Sequence, residues 1–282
     1  MAFRDNSVLI STSNRIDVVA NGPVADTYSG TEGADAFVIA DGNVGDDTLE
    51  NFNSNDSLIT GRRIFDGNND GFIAFGPNGV LDVDRTSSRN AGDDQLQLVG
   101  PGGNITEIRY LGVKGGQNVY ADATTRRALI DAVGEDVTVF EGTGTRSSEG
   151  ALGTVADNAY DAGRGASAFL FDNALGLNLG SDTMTGFGDD DALVTTSALF
   201  NRNGSTDDMG RATITFGSNE VLDLSGSTGP QASDPSTGSG GQIDFGDTPT
   251  TLVLLGTTEG PNGQTYYYYG TTGSTFDVPG DA

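Results

Sequence analysis

GADAFV at Gly33–Val38 returns as GASAFL at Gly165–Leu170, 132 positions downstream, and it does not return alone. GDDTLENFNSNDSLIT (Gly45–Thr60) is answered by GSDTMTGFGDDDALVT (Gly180–Thr195), and IAFGPNGVLDVD (Ile73–Asp84) by ITFGSNEVLDLS (Ile214–Ser225). LQLVG (Leu96–Gly100) pairs with LVLLG (Leu252–Gly256), and RYLG (Arg109–Gly112) with YYYG (Tyr267–Gly270). Upstream, VADTY (Val24–Tyr28) pairs with VADNAY (Val155–Tyr160). The matches keep their order while the offset drifts upward, so the copies differ by loop insertions. A repeat of this length predicts two similar domains in tandem, residues 1–135 and 136–282, each long enough for its own core.

Apolar residues fall in short bursts of β period, separated by Gly, Asn, Asp and Ser. SVLIS (Ser7–Ser11), AFVIA (Ala36–Ala40), QLQLV (Gln95–Val99), TEIRYLGV (Thr106–Val113), DVTVF (Asp136–Phe140), ATITF (Ala212–Phe216) and TTLVLL (Thr250–Leu255) are such bursts. They predict an all-β chain of two tandem duplicated β-sandwich or β-roll-like domains with at most one or two short helices. The helix candidate is DATTRRALIDAVG (Asp122–Gly134), capped by Thr124 or Thr125, with Leu129, Ile130 and Val133 as its apolar stripe and Gly134 as its stop. SGSTGPQASDPSTGSGGQ (Ser225–Gln242) reads as an exposed loop. The run Tyr266–Tyr269 reads as a strand with two wet and two buried rings.

Composition narrows the chemistry. The 282 residues carry 40 Asp plus Glu against 14 Lys plus Arg, for a formal charge of −26. Such a chain repels itself, nucleic acid and anionic membrane, and attracts cations. The acids are open to two readings, solvation of a halophile or marine protein and ligand supply for Ca²⁺. Cys and His are absent, as is Trp, which removes disulfides, thiolate chemistry, the usual zinc ligands and every Ser-His-Asp triad. A carboxylate-pair hydrolase or lyase stays allowed, but no pair of acids stands out, and the expectation is a non-enzyme. The opening residues carry no secretory signal pattern, and no apolar run is long enough to span a membrane, so no membrane insertion is expected.

GTEGADAFV (Gly30–Val38) follows the nonapeptide G-G-x-G-x-D-x-U-x, with U a large apolar residue and Thr31 in place of the second Gly. GNVGDDTLE (Gly42–Glu50) follows it again. Glycines permit a tight turn whose carbonyls face inward, an Asp closes an oxygen cage around Ca²⁺, and the apolar residue anchors a short strand. In this register Thr31, Gly33 and Gly45 belong to the turns, Asp35 and Asp47 supply carboxylates, and Phe37 and Leu49 point into the core. In the second copy Ser167 replaces Asp35, Leu177 stands in place of Gly42, and Asp182 matches Asp47.

Over Gly30–Thr60, with an echo at Gly163–Thr195, the chain resembles the repeats-in-toxin (RTX) family of type I-secreted proteins. The resemblance implies a β-roll with calcium between successive coils, here two units with a three-residue insert, Ile39–Asp41. It also implies an extracellular or cell-surface location reached by type I secretion through an uncleaved C-terminal signal. The ending STFDVPGDA (Ser274–Ala282) is compatible with such a tail.

A second calcium candidate is DGNNDGFI (Asp66–Ile73), which fits the first eight positions of an EF-hand-type loop. Asp66, Asn68 and Asp70 supply side-chain oxygens and Phe72 a carbonyl. Position 12 is Pro77, so a further ligand is needed, with Asp82 or Asp84 nearest downstream.

Two RTX-edged β-domains with little chain left over read as a building block: a secreted cell-surface structural protein that self-assembles into a filament or S-layer-like array stabilised by Ca²⁺. The other reading is an extracellular adhesin or glycan-binding module that takes a cell-surface glycan. For the building block, the segments expected to join subunits are Phe3–Ser13 and Thr275–Val278.

Overall fold

The computed structural model describes residues 16–20, 22–40, 42–68, 70–86, 92–134, 136–141, 155–163, 165–199, 201, 204–216, 220–224, 241–246 and 249–280. SVLIS, the segment Phe3–Ser13 and most of the loop Ser225–Gln242 lie outside them. The described chain forms two compact units that divide between Thr124 and Thr125. The division falls at the first residue of the helix, so residues 125–134, which the repeat placed in the first copy, pack with the second unit.

In the first unit the chain passes back and forth between two sheets. It runs β1 (Ile16–Ala20), β2 (Thr27–Ser29), β3 (Asp35–Ile39), β4 (Asp46–Glu50) and β5 (Ser57–Thr60), then β6 (Phe72–Ala74), β7 (Leu81–Asp82) and β8 (Gln95–Gly100). It closes with β9 (Gly103–Asn104), β10 (Glu107–Lys114) and β11 (Gln117–Asp122). One sheet has the order β1-β3-β5-β11-β10-β6 and the other β2-β4-β8-β7, with β9 on β8. The strands β1, β3 and β5 are parallel, as are β2, β4 and β8, which makes the first half of the unit a coil. The turn of that coil from β2 and β3 to β4 and β5 advances 21 residues. Two nonapeptides and the three-residue insert account for that length.

The second unit repeats this plan. Its strands are β12 (Thr138–Glu141), β13 (Ala159–Asp161), β14 (Ser167–Phe171), β15 (Ser181–Thr185), β16 (Ala192–Thr195) and β17 (Thr213–Thr215). They continue with β18 (Val221–Asp223), β19 (Gln242–Asp244), β20 (Thr251–Glu259) and β21 (Thr265–Gly270). Apart from β9, the sheet orders β12-β14-β16-β21-β20-β17 and β13-β15-β19-β18 match the first unit strand for strand, and the turn from β13 and β14 to β15 and β16 advances 24 residues. This equivalence reassigns two sequence pairings. LQLVG lies in β8, whose counterpart is β19, whereas LVLLG lies in β20, the counterpart of β10. Both β10 and β20 carry a register shift at the same place, Tyr110/Gly112 and Leu254/Gly256. YYYG belongs to β21, the counterpart of β11. Short aliphatic strands resemble one another, and their pairing partners distinguish them.

Strand alternation decides what each sheet buries. In β4, Asp47 and Leu49 point inward while Asp46 and Glu50 are exposed. Leu49, Leu96 and Leu98 from one sheet meet Phe37 and Leu58 from the other, and Phe52 sits 5.4 Å from the Phe37 ring. Strands β14 and β16 are buried at every position, so they read as continuous apolar runs. Their outer face is covered by α1 (Thr124–Val133), whose Leu129 packs with Leu170, Val194, Tyr266 and Tyr268.

That packing corrects two details of the sequence reading. Asp122, not Thr124 or Thr125, supplies the oxygen at the helix start, accepting the Thr124 amide at 3.2 Å. Ile130 is exposed, and Thr125 and Leu129 are the buried helix positions. Three of the four tyrosines of Tyr266–Tyr269 are buried and Tyr267 is half-buried, because β21 is an interior strand covered on both faces. Thr275–Val278 is held in its own unit: Val278 is buried, and the Thr275 amide donates to the Asp189 carbonyl at 2.6 Å. No helix among the described residues is long and apolar enough to cross a membrane.

Candidate metal centre

Because the sixth and eighth residues of a nonapeptide point to the same side of a strand, the Asp at the sixth place is drawn inward with the apolar anchor. Asp35 and Asp47 are 0 % and 2 % exposed. A carboxylate removed from water needs hydrogen-bond donors, and the turns supply them. Asp35 Oδ2 accepts the amide of Thr31 at 2.5 Å and its hydroxyl at 2.9 Å, and the Thr31 hydroxyl accepts the Gly33 amide at 3.1 Å. A side chain at Gly30 would meet Phe37 at 2.9 Å and Asp35 at 3.0 Å, so this turn closes only around glycine.

The coil stacks these acids in two rows at opposite ends of the strands. In one row the Asp35 amide donates to Asp56 Oδ1 at 2.8 Å, and Asp56 Oδ2 accepts the Asn53 amide at 2.7 Å. In the other row Asp47 Oδ1 accepts the Asp26 amide at 2.8 Å, while Asp94 Oδ1 accepts the amides of Val44 at 3.0 Å and Gly45 at 3.3 Å. Gly45 has φ +84 and lies against the Val24 backbone, so the turns of successive coils touch directly there. Asp56, Asp47 and Asp94 therefore cap amides of a neighbouring coil, whereas Asp35 closes its own turn. Asp35 and Asp47 sit on different rows and do not share a site.

The carbonyls that the nonapeptide logic offers to calcium have a partner in this geometry. Asn53 Nδ2 donates to the Thr31 carbonyl at 3.2 Å and the Gly33 carbonyl at 3.5 Å. The far oxygens of the acids are different: Asp35 Oδ1 and Asp47 Oδ2 are buried without a hydrogen-bond partner among the described residues. Burial pushes the Asp47 carboxyl above its ordinary range, helped by the charges of Asp26, Asp46 and Asp94 and opposed by the Asp26 amide.

The second unit keeps the rows with fewer acids. Asp182 Oδ1 accepts the Asn158 amide at 2.8 Å, with Asn158 in place of Asp26. Ser167 donates its hydroxyl to the Gly165 carbonyl at 2.9 Å. Asp191, the counterpart of Asp56, accepts the Gly188 amide at 2.8 Å. Burial first, then the neighbouring Asp190 charge, pushes the Asp191 carboxyl up to about 6, against the pull of the Gly188 and Ser167 hydrogen bonds.

The loop at Asp66 folds on itself. Asp66 Oδ2 accepts the Gly71 amide at 2.8 Å, Asp70 Oδ1 the Phe72 amide at 2.8 Å, and Asn68 Nδ2 donates to Asp70 Oδ2 at 2.9 Å. Asp82 and Asp84 do not join it. Phe72 begins β6 beside β10 in one sheet, whereas Asp82 ends β7 beside β8 in the other. Asp84 instead accepts the amides of Asp93 at 3.2 Å and Asp94 at 3.3 Å. Among the described residues no three acidic side chains converge as a metal cluster.

Sequence reading missed Asp56, Asp94 and Asn53. NFNSNDSLI (Asn51–Ile59) keeps Asp at the sixth place and Leu at the eighth but has no glycine, so the glycine-led pattern passes over it. No family model, curated protein or solved structure matches the chain.

Proposed function

We propose that this protein is a secreted structural protein that assembles through its coils into a filament or array, with Ca²⁺ bound at the turn rows of the first unit. The observation that carries the reading is the coil edge. Among the described residues β1 and β2 pair on one side only, and so do β12 and β13. An open edge of parallel backbone is a template for strands of another chain, and the same edge recurs in both units. A head-to-tail contact of that kind propagates unless its rotation closes. With −26 per chain, such a contact needs apolar burial or bridging cations in place of salt bridges. The two buried, unpartnered oxygens of Asp35 and Asp47 are where a cation gains most.

Negative-stain microscopy of the purified chain tests the assembly. Regular polymers in millimolar Ca²⁺, dispersed by chelator, are expected; dispersed particles that are retained on glycan columns would replace this reading with the adhesin.

The calcium term has its own test. Extracellular sites bind at about 10⁻⁴–10⁻³ M, so several millimolar Ca²⁺ is expected to add about 2 kcal/mol and raise the melting temperature by roughly 5 °C. Asp35→Asn and Asp47→Asn keep an oxygen for the amides but remove the charge, so each is expected to shrink this calcium increment. Ser167→Ala is expected to leave the increment intact. Melting curves indifferent to calcium and chelator, in the wild type and all three variants, would remove calcium from the reading.

A further inference from the structure

The exit from the third strand differs between the units. In the second unit Asp172 follows β14, and six residues, 173–178, lead to Leu179. In the first unit three residues, 41–43, join the equivalent Ala40 and Val44. The added residues begin with a single 3-10 turn, Asn173–Leu175, and they fill a socket. Asn173 Oδ1 accepts the Ser197 amide at 2.8 Å, and its Nδ2 donates to the carbonyls of Ser197 and Leu224, each at 3.1 Å. Asp172 accepts the Thr196 hydroxyl at 2.6 Å, and Leu175 and Leu177 are buried.

The first unit keeps the socket and lacks the plug. By strand equivalence Ser197 corresponds to Arg62 and Leu224 to Val83. The Thr60 hydroxyl donates to the Arg62 carbonyl at 2.5 Å, as Thr195 does to Ser197 at 2.8 Å, so both sockets hold their backbone in the same way. Where Asp172 and Thr196 meet, the first unit has Ala40 and Gly61. The space left is a cavity of about 240 Å³ bounded by Ala40, Gly61, Arg62 and Val83, with Asp84 and Asp93 at its wall.

The filled socket states what the open one accepts. It uses one acceptor and two donors on a single planar group, with the acceptor and one donor side by side. A primary carboxamide has that arrangement; a trans secondary amide, as in an N-acetyl sugar, points its N–H and C=O in opposite directions and cannot make the side-by-side pair. The plug reads Asp172-Asn173-Ala174-Leu175-Gly176-Leu177: an Asn preceded by Asp, followed by a small residue, with aliphatic residues two and four places on. The chain writes this pattern once more, at Asp5-Asn6-Ser7-Val8-Leu9-Ile10. Its third Asp-Asn pair, Asp157-Asn158, has Tyr160 and Ala162 at those places. Arg4 adds a cation to suit a wall bearing Asp84 and Asp93.

We propose that the segment Arg4–Ile10 of a second copy of this chain plugs the first unit's cavity, with the Asn6 carboxamide on the backbone of Arg62 and Val83. The inference rests on the assembly reading and supplies its joint: a terminal segment given to the next subunit makes a heterologous contact that propagates.

The test uses the full chain carrying Asn6→Asp and labelled peptides of residues 4–13. The wild-type peptide is expected to saturate one site per chain, and the Asn6→Asp peptide to bind at least about tenfold more weakly, having exchanged two donors for a charge facing acids. A photoreactive group at peptide position 8 is expected to label the stretch 39–62. Equal binding of the two peptides, or labelling in the second unit, overturns the proposal. Microscopy then separates the two readings. Asn6→Asp chains that polymerise like wild type overturn this joint and leave assembly standing. Wild-type chains that stay monomeric, and accept peptide only after Asn6→Asp opens the cavity, make the occupant the chain's own segment and overturn the assembly reading with it.

Discussion

Replacing Tyr120 by alanine is expected to cost the first unit about 3–5 kcal/mol, a large part of what holds a domain of this size. Tyr120 is fully buried in β11 at the register of Leu58, and its ring lies 5.2 Å from that of Tyr110. Its hydroxyl accepts the Ile64 amide at 2.8 Å, tying the segment after β5 back to the sheet. Tyr269 repeats the arrangement in the second unit, at the register of Leu193 and with the Leu199 amide at 2.8 Å. Burial raises both phenols, Tyr269 to about 12, so neither ionises near neutral pH. Tyr269→Ala is expected to match Tyr120→Ala. The phenylalanine variants keep the ring and strand one buried amide, for about 1–3 kcal/mol each. Urea denaturation followed by circular dichroism measures all four; phenylalanine variants as stable as wild type would show that the amides find other partners and that the tie contributes nothing.

This tyrosine tie shows where sequence reading stops. The bursts AFVIA, QLQLV and TTLVLL each became a strand, because alternation and turn residues are local signals. The match of GADAFV to GASAFL is a match of β3 to β14, since glycine turns fix where those strands begin. Tyr120 and Tyr269 were not paired, because the repeat aligned the tyrosine strand with β10 on its aromatic content alone. Hydrogen-bonded neighbours, absent from a linear text, are what distinguish β10 from β11. The acids show the same limit. Asp35 and Asp47 stood out because glycines precede them, whereas Asp56 makes equivalent bonds behind Asn and Ser. A turn whose Asp caps the neighbouring coil does not require glycine at every unit, so the motif decays while its hydrogen bonds persist. The plug at Asn173 lies where the two copies differ by a loop insertion. Its meaning depends on Ser197 and Leu224, which lie 24 and 51 residues away.

The capping role also explains how so acidic a chain tolerates buried carboxylates. The near oxygens of Asp47, Asp56, Asp94 and Asp182 take amides of the adjacent coil, so these acids hold the coils together. The unfavourable part is confined to the far oxygens and to the proximity of other charges. Protons relieve that part, as would the calcium proposed above, so stability is expected to respond to pH through these groups.

Asp191 gives that response its clearest sign. Its folded carboxyl is raised from 3.8 to about 6, so between those values the folded chain holds a proton that the unfolded chain has lost. The stability it contributes is fully present below about pH 4 and is lost as pH rises through about 6. A shift of this size corresponds to about 3 kcal/mol. Asp191→Asn keeps an oxygen for the Gly188 amide and cannot ionise. The variant is therefore expected to be more stable than wild type at pH 7 by about 1–3 kcal/mol, with the difference vanishing near pH 4. Taking that difference cancels the self-repulsion of the other acids, which is common to both chains. Denaturation midpoints at half-unit pH steps measure it. A difference that is flat with pH, or that favours wild type as pH rises, would show that Asp191 is ionised at little cost and that the second unit already supplies its counter-charge.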